Sequence, residues 1–328
     1  MPKPYLPRCT SGTLSDTILP DLQDVSPKDK VWDIHKANAV KVANLYFEMG
    51  YLSLAERVLG CANTLGFVLR PNSSAGKDIK LADARFCRVR LCPICQWRKS
   101  LMWRARFLGN VPKILKDYPN HRFLFLTLTV KNCPLKELRD TLSWMNKSWS
   151  KMTRRKNFPA DGWVKSVEIT RGRDGNAHPH FHSVLMVSST YFNGNYYLSQ
   201  KAWCELWKSC LRVDYKPMVH ITALKPKFGS SEDVTTQHTR LIEKALIETL
   251  KYSIKESDLV VSPDWLKGLT NQLDGTKSVS LGGIFKKYLK EKDPENLINS
   301  EDSNDEILPG EDRFWFAWQQ YQMRYKSK

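Results

Sequence analysis

The sequence predicts an α+β fold: an antiparallel β-sheet flanked by helices, preceded by a helical, cysteine-rich region. Three observations carry this. From His121 the elements read strand, helix, hairpin, helix, strand, helix, the order of one sheet with helices laid against it. Ahead of that, apolar residues recur mostly at helical spacing. The two parts are joined by a segment in which cysteines cluster.

Residues 1–30 are Pro- and Ser-rich and unpatterned, and are expected to form a flexible tail. Residues 31–115 form the helical, cysteine-rich region. There VWDIHKANAVKVANLYFEMGYLSLAERVLGC places apolar residues three and four apart, and CQWRKSLMWRARFLGNVPKIL forms a helix with Arg and Lys along one side. Residues 116–260 form the second domain. RFLFLTLTV is a strand, with Thr127 and Thr129 alternating against apolar neighbours. KELRDTLSWMNKSWSKMTRR is a basic amphipathic helix. GWVKSVEITR and HPHFHSVLMVS are strands joined by the turn GRDGNA, hence a hairpin. A helix (SQKAWCELWKSCLR), a strand (HITALKPK) and a long helix (DVTTQHTRLIEKALIETLKYSIKE) follow. Residues 261–328 form a C-terminal extension. LGGIFKKYLKE reads as a short helix, DPENLINSEDSNDEILPGED as an acidic linker, and RFWFAWQQYQMRYK as a closing helix that docks back.

Composition narrows the partners. The 328 residues carry 51 Lys+Arg against 34 Asp+Glu, a net charge of +17, which favours a polyanion such as nucleic acid. No apolar run approaches the roughly 20 residues a membrane helix needs, and the N-terminus lacks an apolar signal core. A cytoplasmic location with no membrane partner is expected, and there eight cysteines are not a disulfide framework.

The segment FCRVRLCPIC holds Cys87, Cys92 and Cys95. Cys92 and Cys95 form a Cys-x-x-Cys knuckle that lets two thiolates face one tetrahedral ion, with Cys87 near enough to be a third ligand. Cys61, at the end of the preceding helix, is chosen as the fourth by position. The expectation is structural Zn²⁺. The alternatives are buried, unligated cysteines and a redox pair, and the latter wants a βαβ context that is missing here. Arginines and lysines around the cluster, among them Arg85, Arg88, Arg98 and Arg104, are candidates to grip phosphates.

In His178-Pro179-His180-Phe181-His182, residues two apart share a strand face, so His180 and His182 point one way and Phe181 the other. His178 shares the parity but precedes a proline at the strand's start. Glu168, set among valines and isoleucine in SVEIT, can lie beside the histidines across the hairpin. Two imidazoles and a carboxylate with open positions suit Mg²⁺ or Mn²⁺. Late in the long helix, Glu248, Tyr252 and Lys255 are spaced four and three apart and are expected on one helical face.

The order of these motifs resembles the HUH endonucleases, and within them the replication initiators of rolling-circle plasmids. FLTLTV looks like their first motif, HPHFHSVLMV their metal motif, Glu248–Tyr252–Lys255 their nucleophile motif, and FCRVRLCPICQWR the cysteine-rich segment of one branch. The resemblance spans roughly residues 50–290. It implies an HUH-type sheet, Tyr252 as nucleophile, His180, His182 and Glu168 as metal ligands, and Glu248 as activator of water. Lys255 either steadies the phosphate or is an ordinary solvated lysine. The implied activity is nicking and joining of plasmid origin DNA, single-stranded at the nick, through a 5′-phosphotyrosine, with host helicase and polymerase as partners. Duplex contacts would fall to the basic cysteine-rich region and to Lys147, Lys151, Arg154, Arg155 and Lys156. The alternatives are a transposase or relaxase of the same superfamily, a zinc hydrolase using His178, His180 and His182, and a non-catalytic zinc-dependent DNA-binding regulator.

Overall fold

The computed structural model describes residues 20–71, 77–225, 234–289, 297–298 and 313–328. In chain order the first elements are α1 (Leu22–Val25), α2 (Val31–Glu48), α3 (Leu52–Leu59), β1 (Thr64–Pro71), β2 (Lys77–Ala84) and α4 (Pro93–Asp117). Then come β3 (His121–Thr129), α5 (Leu138–Met152), β4 (Ala160–Arg171), β5 (Ala177–Ser188), α6 (Gln200–Leu211), β6 (Val219–Ala223) and α7 (Val234–Thr249). The last are α8 (Glu256–Leu259), α9 (Pro263–Leu273), β7 (Val279–Gly283), α10 (Phe285–Tyr288), β8 (Phe314–Gln319) and β9 (Arg324–Ser327). The architecture is α+β, with antiparallel sheets flanked by helices. The chain divides into two compact units, Met1–Cys95 with Ser303–Lys328, and Gln96–Asp302. No helix among the described residues is long and apolar enough to cross a membrane.

The first unit pairs α2 and α3 with a four-stranded sheet ordered β2-β1-β8-β9. The helices part at Gly50, whose φ of 76° suits only glycine comfortably. The Tyr51 and Gly50 amides there donate to the Tyr46 and Phe47 carbonyls at 2.9 and 3.0 Å and close the end of α2. Three expectations change in this unit. The cysteine-rich region is not helical throughout, since β1 and β2 form a hairpin within it. The closing aromatic segment is a strand pair rather than a helix, with Phe316 and Tyr325 buried and the Tyr325 hydroxyl donating to the Ala62 carbonyl at 2.6 Å. Its aromatics alternate at period two, in and out of the sheet, a strand signal that aromatic content alone obscures. The expected tail is structured from Pro20: Leu22 is fully buried, and Asp21 bridges β9 at Lys326 and pairs with Arg324. The rest of that tail, and all of the expected acidic linker but Leu297 and Ile298, lie outside the described residues.

The second unit is built on a five-stranded antiparallel sheet ordered β6-β3-β5-β4-β7. β7 lies past residue 260, so this sheet extends beyond the expected domain limit. The segment escapes notice because it is short and ends in two glycines. Those glycines are needed: a Cβ on Gly282 would lie 2.0 Å from Trp163, and Gly283 has φ +56° with the Asp161 carbonyl where a Cβ would stand. One sheet face packs under α5 and α6, where Trp149 and Trp207 meet Phe181. The other face carries Thr127, His180, His182 and Glu168, and α7 lies against β5.

Lys165 points into the helix-covered face and is 1% exposed. Its ammonium donates to Asn146 Oδ1 at 2.7 Å and sits 3.6 Å from the Phe181 ring centre. Burial pulls its pKa from 10.5 down to about 7. The folded value lies below the unfolded one, so the charge penalises folding in full below about pH 7 and the penalty fades as pH rises toward 10.5. Lys165→Met is therefore expected to stabilise the fold by about 1–3 kcal/mol near pH 6, with the gain shrinking on the alkaline side. Urea unfolding at the two pH values measures this. A destabilised variant near pH 6 would mean that the ring and amide contacts outweigh desolvation.

Candidate active site and metal centres

Strand alternation sets out the histidines as expected. Phe181 is fully buried in the core, and His178, His180 and His182 rise from the opposite face. Glu168 is 4% exposed and lies across from His180 in the β4–β5 register. Its Oε2 accepts from His182 Nε2 at 2.7 Å and from Lys251 Nζ at 3.0 Å. That leaves His182 Nδ1 to accept from the Thr127 hydroxyl at 3.2 Å, while Phe125 stacks on the ring. Both nitrogens of His182 thus have partners, which fixes the orientation of its ring. Burial raises the Glu168 carboxyl, but the hydrogen bonds from His182 and Lys251 prevail and hold it at about 2.

The other two histidines differ. His180 Nε2 lies 3.2 Å from the Thr170 hydroxyl. Burial, then the neighbouring His178, draws His180 down to about 4, so its ring is neutral at pH 7, the form that binds metals. His178 Nδ1 donates to Asn132 Oδ1 at 2.5 Å, and the Asn132 amide nitrogen donates in turn to Asp174. That tie turns His178 toward the hairpin loop. The ligand atoms of Glu168, His182 and Glu248 all lie within 4.8 Å of one another, a grouping that can hold a cation. Two carboxylates and an imidazole fit an oxygen- and imidazole-bound divalent ion.

The Glu248–Lys255 segment departs from the expected helix. α7 ends at Thr249, where the Ser166 hydroxyl donates to the Thr249 carbonyl. Leu250 N still bonds Leu246 O at 2.7 Å, but the Ser253 carbonyl accepts from Ile169 N of β4 at 2.8 Å. Hydrogen bonds to β4 thus replace those that would continue the helix. Glu248, Tyr252 and Lys255 therefore do not share a helical face. Lys255 is exposed at the start of α8. Tyr252 is half-buried between Lys251, whose ammonium is in the cluster, and Ser253, which is bonded to β4 beside Glu168. Burial first, then Glu256, raises its phenol above the usual value. The lysine at the site is Lys251, which the sequence reading missed. Its spacing of three from Glu248 was the available signal, and their ion pair measures 2.6 Å.

In the first unit, Cys61, Cys87, Cys92 and Cys95 bring four sulfurs within 4.8 Å of one another. Cys95 Sγ lies 3.6 Å from the sulfurs of both Cys61 and Cys87. That is far beyond a disulfide bond, and it matches the ~3.8 Å sulfur spacing of a tetrahedral ion with ~2.3 Å bonds. Backbone amides point at the sulfurs: Arg88 N at Cys95 Sγ (3.3 Å), Cys87 N at Cys61 Sγ (3.4 Å) and Val89 N at Cys87 Sγ (3.5 Å). Arg88 reaches this pose with φ +55°. Hydrogen bonds from the other three sulfurs favour the Cys87 thiolate, whereas burial pushes Cys92 up. The fully buried Lys36 donates to the Leu59 and Cys61 carbonyls, both at 2.7 Å, and so clamps the chain that carries Cys61. Four soft donors at this spacing fit a closed structural site.

Of the basic residues, Lys147, Lys151, Arg154, Arg155 and Lys156 are exposed. Arg98 is not available for phosphate: it is 2% exposed and donates to the Leu297 and Ile298 carbonyls, both at 2.9 Å.

Comparison with known proteins adds the remaining findings. A family model described as Replication protein matches residues 78–326. A protein named Protein rep from Streptococcus pneumoniae serotype 2 (strain D39 / NCTC 7466) is 37% identical over 295 residues, covering 86% of this chain and 88% of its own. One of the same name from Lactiplantibacillus plantarum is 35% identical, covering 82% and 85%. A Replication protein from Staphylococcus aureus is 31% identical, covering 59% and 82%. No solved structure matches the chain.

Proposed function

Because the chain belongs to the Replication protein family, the initiators of rolling-circle plasmids, we propose that it starts plasmid replication by nicking one strand of its origin DNA with Tyr252. The observation that carries this reading is the cluster of Glu168, His182 and Glu248 directly beside the Tyr252 segment. Mg²⁺ or Mn²⁺ held by His180, His182 and Glu168 supplies charge stabilisation at the scissile phosphate when bound. His180 shares that strand face, and its Nε2 lies 3.2 Å from the Thr170 hydroxyl, outside the grouping of Glu168, His182 and Glu248.

The Tyr252 oxygen attacks phosphorus in line. The bond from phosphorus to the 3′ oxygen breaks, and the departing oxygen takes up a proton to become a 3′-OH. The phenol's own proton passes to solvent or to a neighbouring carboxylate. The 5′ end stays on Tyr252 as a phosphotyrosine, and a host polymerase extends the 3′-OH while a host helicase opens the duplex. At the close of a round Glu248 serves as general base for water, which releases the displaced strand without a second tyrosine. Lys147, Lys151 and Arg154–Lys156 grip duplex phosphates, and Zn²⁺ on the four cysteines shapes the first unit.

The test is nicking of supercoiled origin DNA in Mn²⁺ by the wild-type chain and by His182→Ala. The variant should lose at least ~100-fold in rate, because both a ligand and the partner of Glu168 are removed. Nicking that survives at the wild-type rate refutes the metal assignment. Origin binding without any nicking by the wild type would favour a non-catalytic regulator.

A further inference from the structure

We propose that Lys251 is a built-in counter-cation, holding the place of the divalent ion at Glu168 and His182 until the ion displaces it. The inference rests on the reading of this cluster as a divalent-ion centre. The Lys251 ammonium lies 3.0 Å from Glu168 Oε2 and 2.6 Å from Glu248 Oε1, and His182 Nε2 is 2.7 Å from that same Glu168 oxygen. The ammonium therefore stands among the donor atoms that would surround an ion. An ion bonded to such oxygens at about 2.0–2.2 Å needs that space, and its charge repels the ammonium. Both cannot occupy it together.

The arrangement has a physical reason. Two carboxylates whose oxygens lie within 4.8 Å of each other, one of them almost fully buried, need a positive charge between them. Lys251 supplies it. Its backbone lies just past the end of α7, outside the rigid helix, and its side chain is 26% exposed. It has a route to swing outward when displaced. Departure frees a cation on the residue next to Tyr252, so ion entry and a change of charge beside the nucleophile are one event. The centre is then stable without its ion, at the expense of ion affinity.

The experiment measures Mn²⁺ binding to the full chain by the loss of the free-ion electron paramagnetic resonance signal. Wild type, Lys251→Met and Lys251→Arg are compared, each with and without His182→Ala to subtract Mn²⁺ held elsewhere. Displacement predicts that Lys251→Met binds about tenfold tighter than wild type and that Lys251→Arg, which keeps the charge, stays near wild type. Thermal unfolding gives a second readout. Without metal Lys251→Met should melt below wild type, and saturating Mn²⁺ should close the gap. If Lys251→Met binds Mn²⁺ equally or more weakly, Lys251 helps to organise the site instead and the inference is overturned. If none of the three shows His182-dependent Mn²⁺ binding, the reading of the centre as a divalent-ion site fails, and the inference with it.

Discussion

Tyr252→Phe should form no covalent protein–DNA adduct and should lose at least ~10³-fold in origin nicking. The change removes one oxygen and keeps the ring, so packing is preserved where the side chain is half-buried. The fold should hold, with unfolding free energy within about 0.5 kcal/mol of wild type. A large loss of activity on an intact fold then reports chemistry alone. Position supports the choice of this tyrosine. Its neighbour Lys251 reaches Glu168 at 3.0 Å, and Ser253 is bonded to the strand residue after Glu168. Denaturing gels of labelled origin DNA after single-turnover reaction are the measurement. An adduct that persists in the variant reassigns the nucleophile. Nicking that persists without an adduct in either protein replaces the covalent mechanism with direct hydrolysis by water.

The histidine strand was legible in the sequence because its signal is local. Residues two apart share a face, and a short turn brings Glu168 opposite His180 whatever the rest of the chain does. The cysteine knuckle is local in the same way, whereas Cys61 lies 26 positions before Cys87 and is a choice by position alone. What escaped reading depends on distant partners. The end of α7 at Thr249 is set by Ser166, 83 positions earlier, whose hydroxyl takes the last carbonyl. Helical spacing from Glu248 onward carries no trace of that bond, so it points to Lys255, whereas Lys251 is the lysine within reach of Glu168. The β8–β9 pair is a strand because β1 offers it an edge, with Leu65 opposite Phe316. Arg98 looks like a phosphate contact in sequence and is withdrawn by two backbone carbonyls some 200 positions away. In each case a tertiary hydrogen bond overrides a pattern that was locally sound.

Removing the ion from the cysteine cluster should destabilise the first unit far more than any single side-chain change outside the cluster. The four sulfurs join the end of α3, the segment after β2 and the first turn of α4. Structural zinc contributes about 10–16 kcal/mol of apparent binding free energy in small sites, as much as the whole stability of a typical domain. Without it, four thiols crowd within 4.8 Å and the buried Lys36, already pulled down to about 8 by burial, loses the thiolates that favour its charge. Cys92→Ser should thus abolish stoichiometric zinc, and calorimetry should show one melting transition lost or moved sharply down. Gln96–Asp302 has its own buried core, so its transition should survive. Chelation of the wild type should reproduce the effect. Adding Zn²⁺ back, but not Mn²⁺, should reverse it, because four thiolates select the softer ion. A wild-type chain that carries no zinc and melts identically in chelator would show that these are buried thiols without an ion. In that outcome, packing and the backbone amides directed at the sulfurs would have to hold the knuckle unaided.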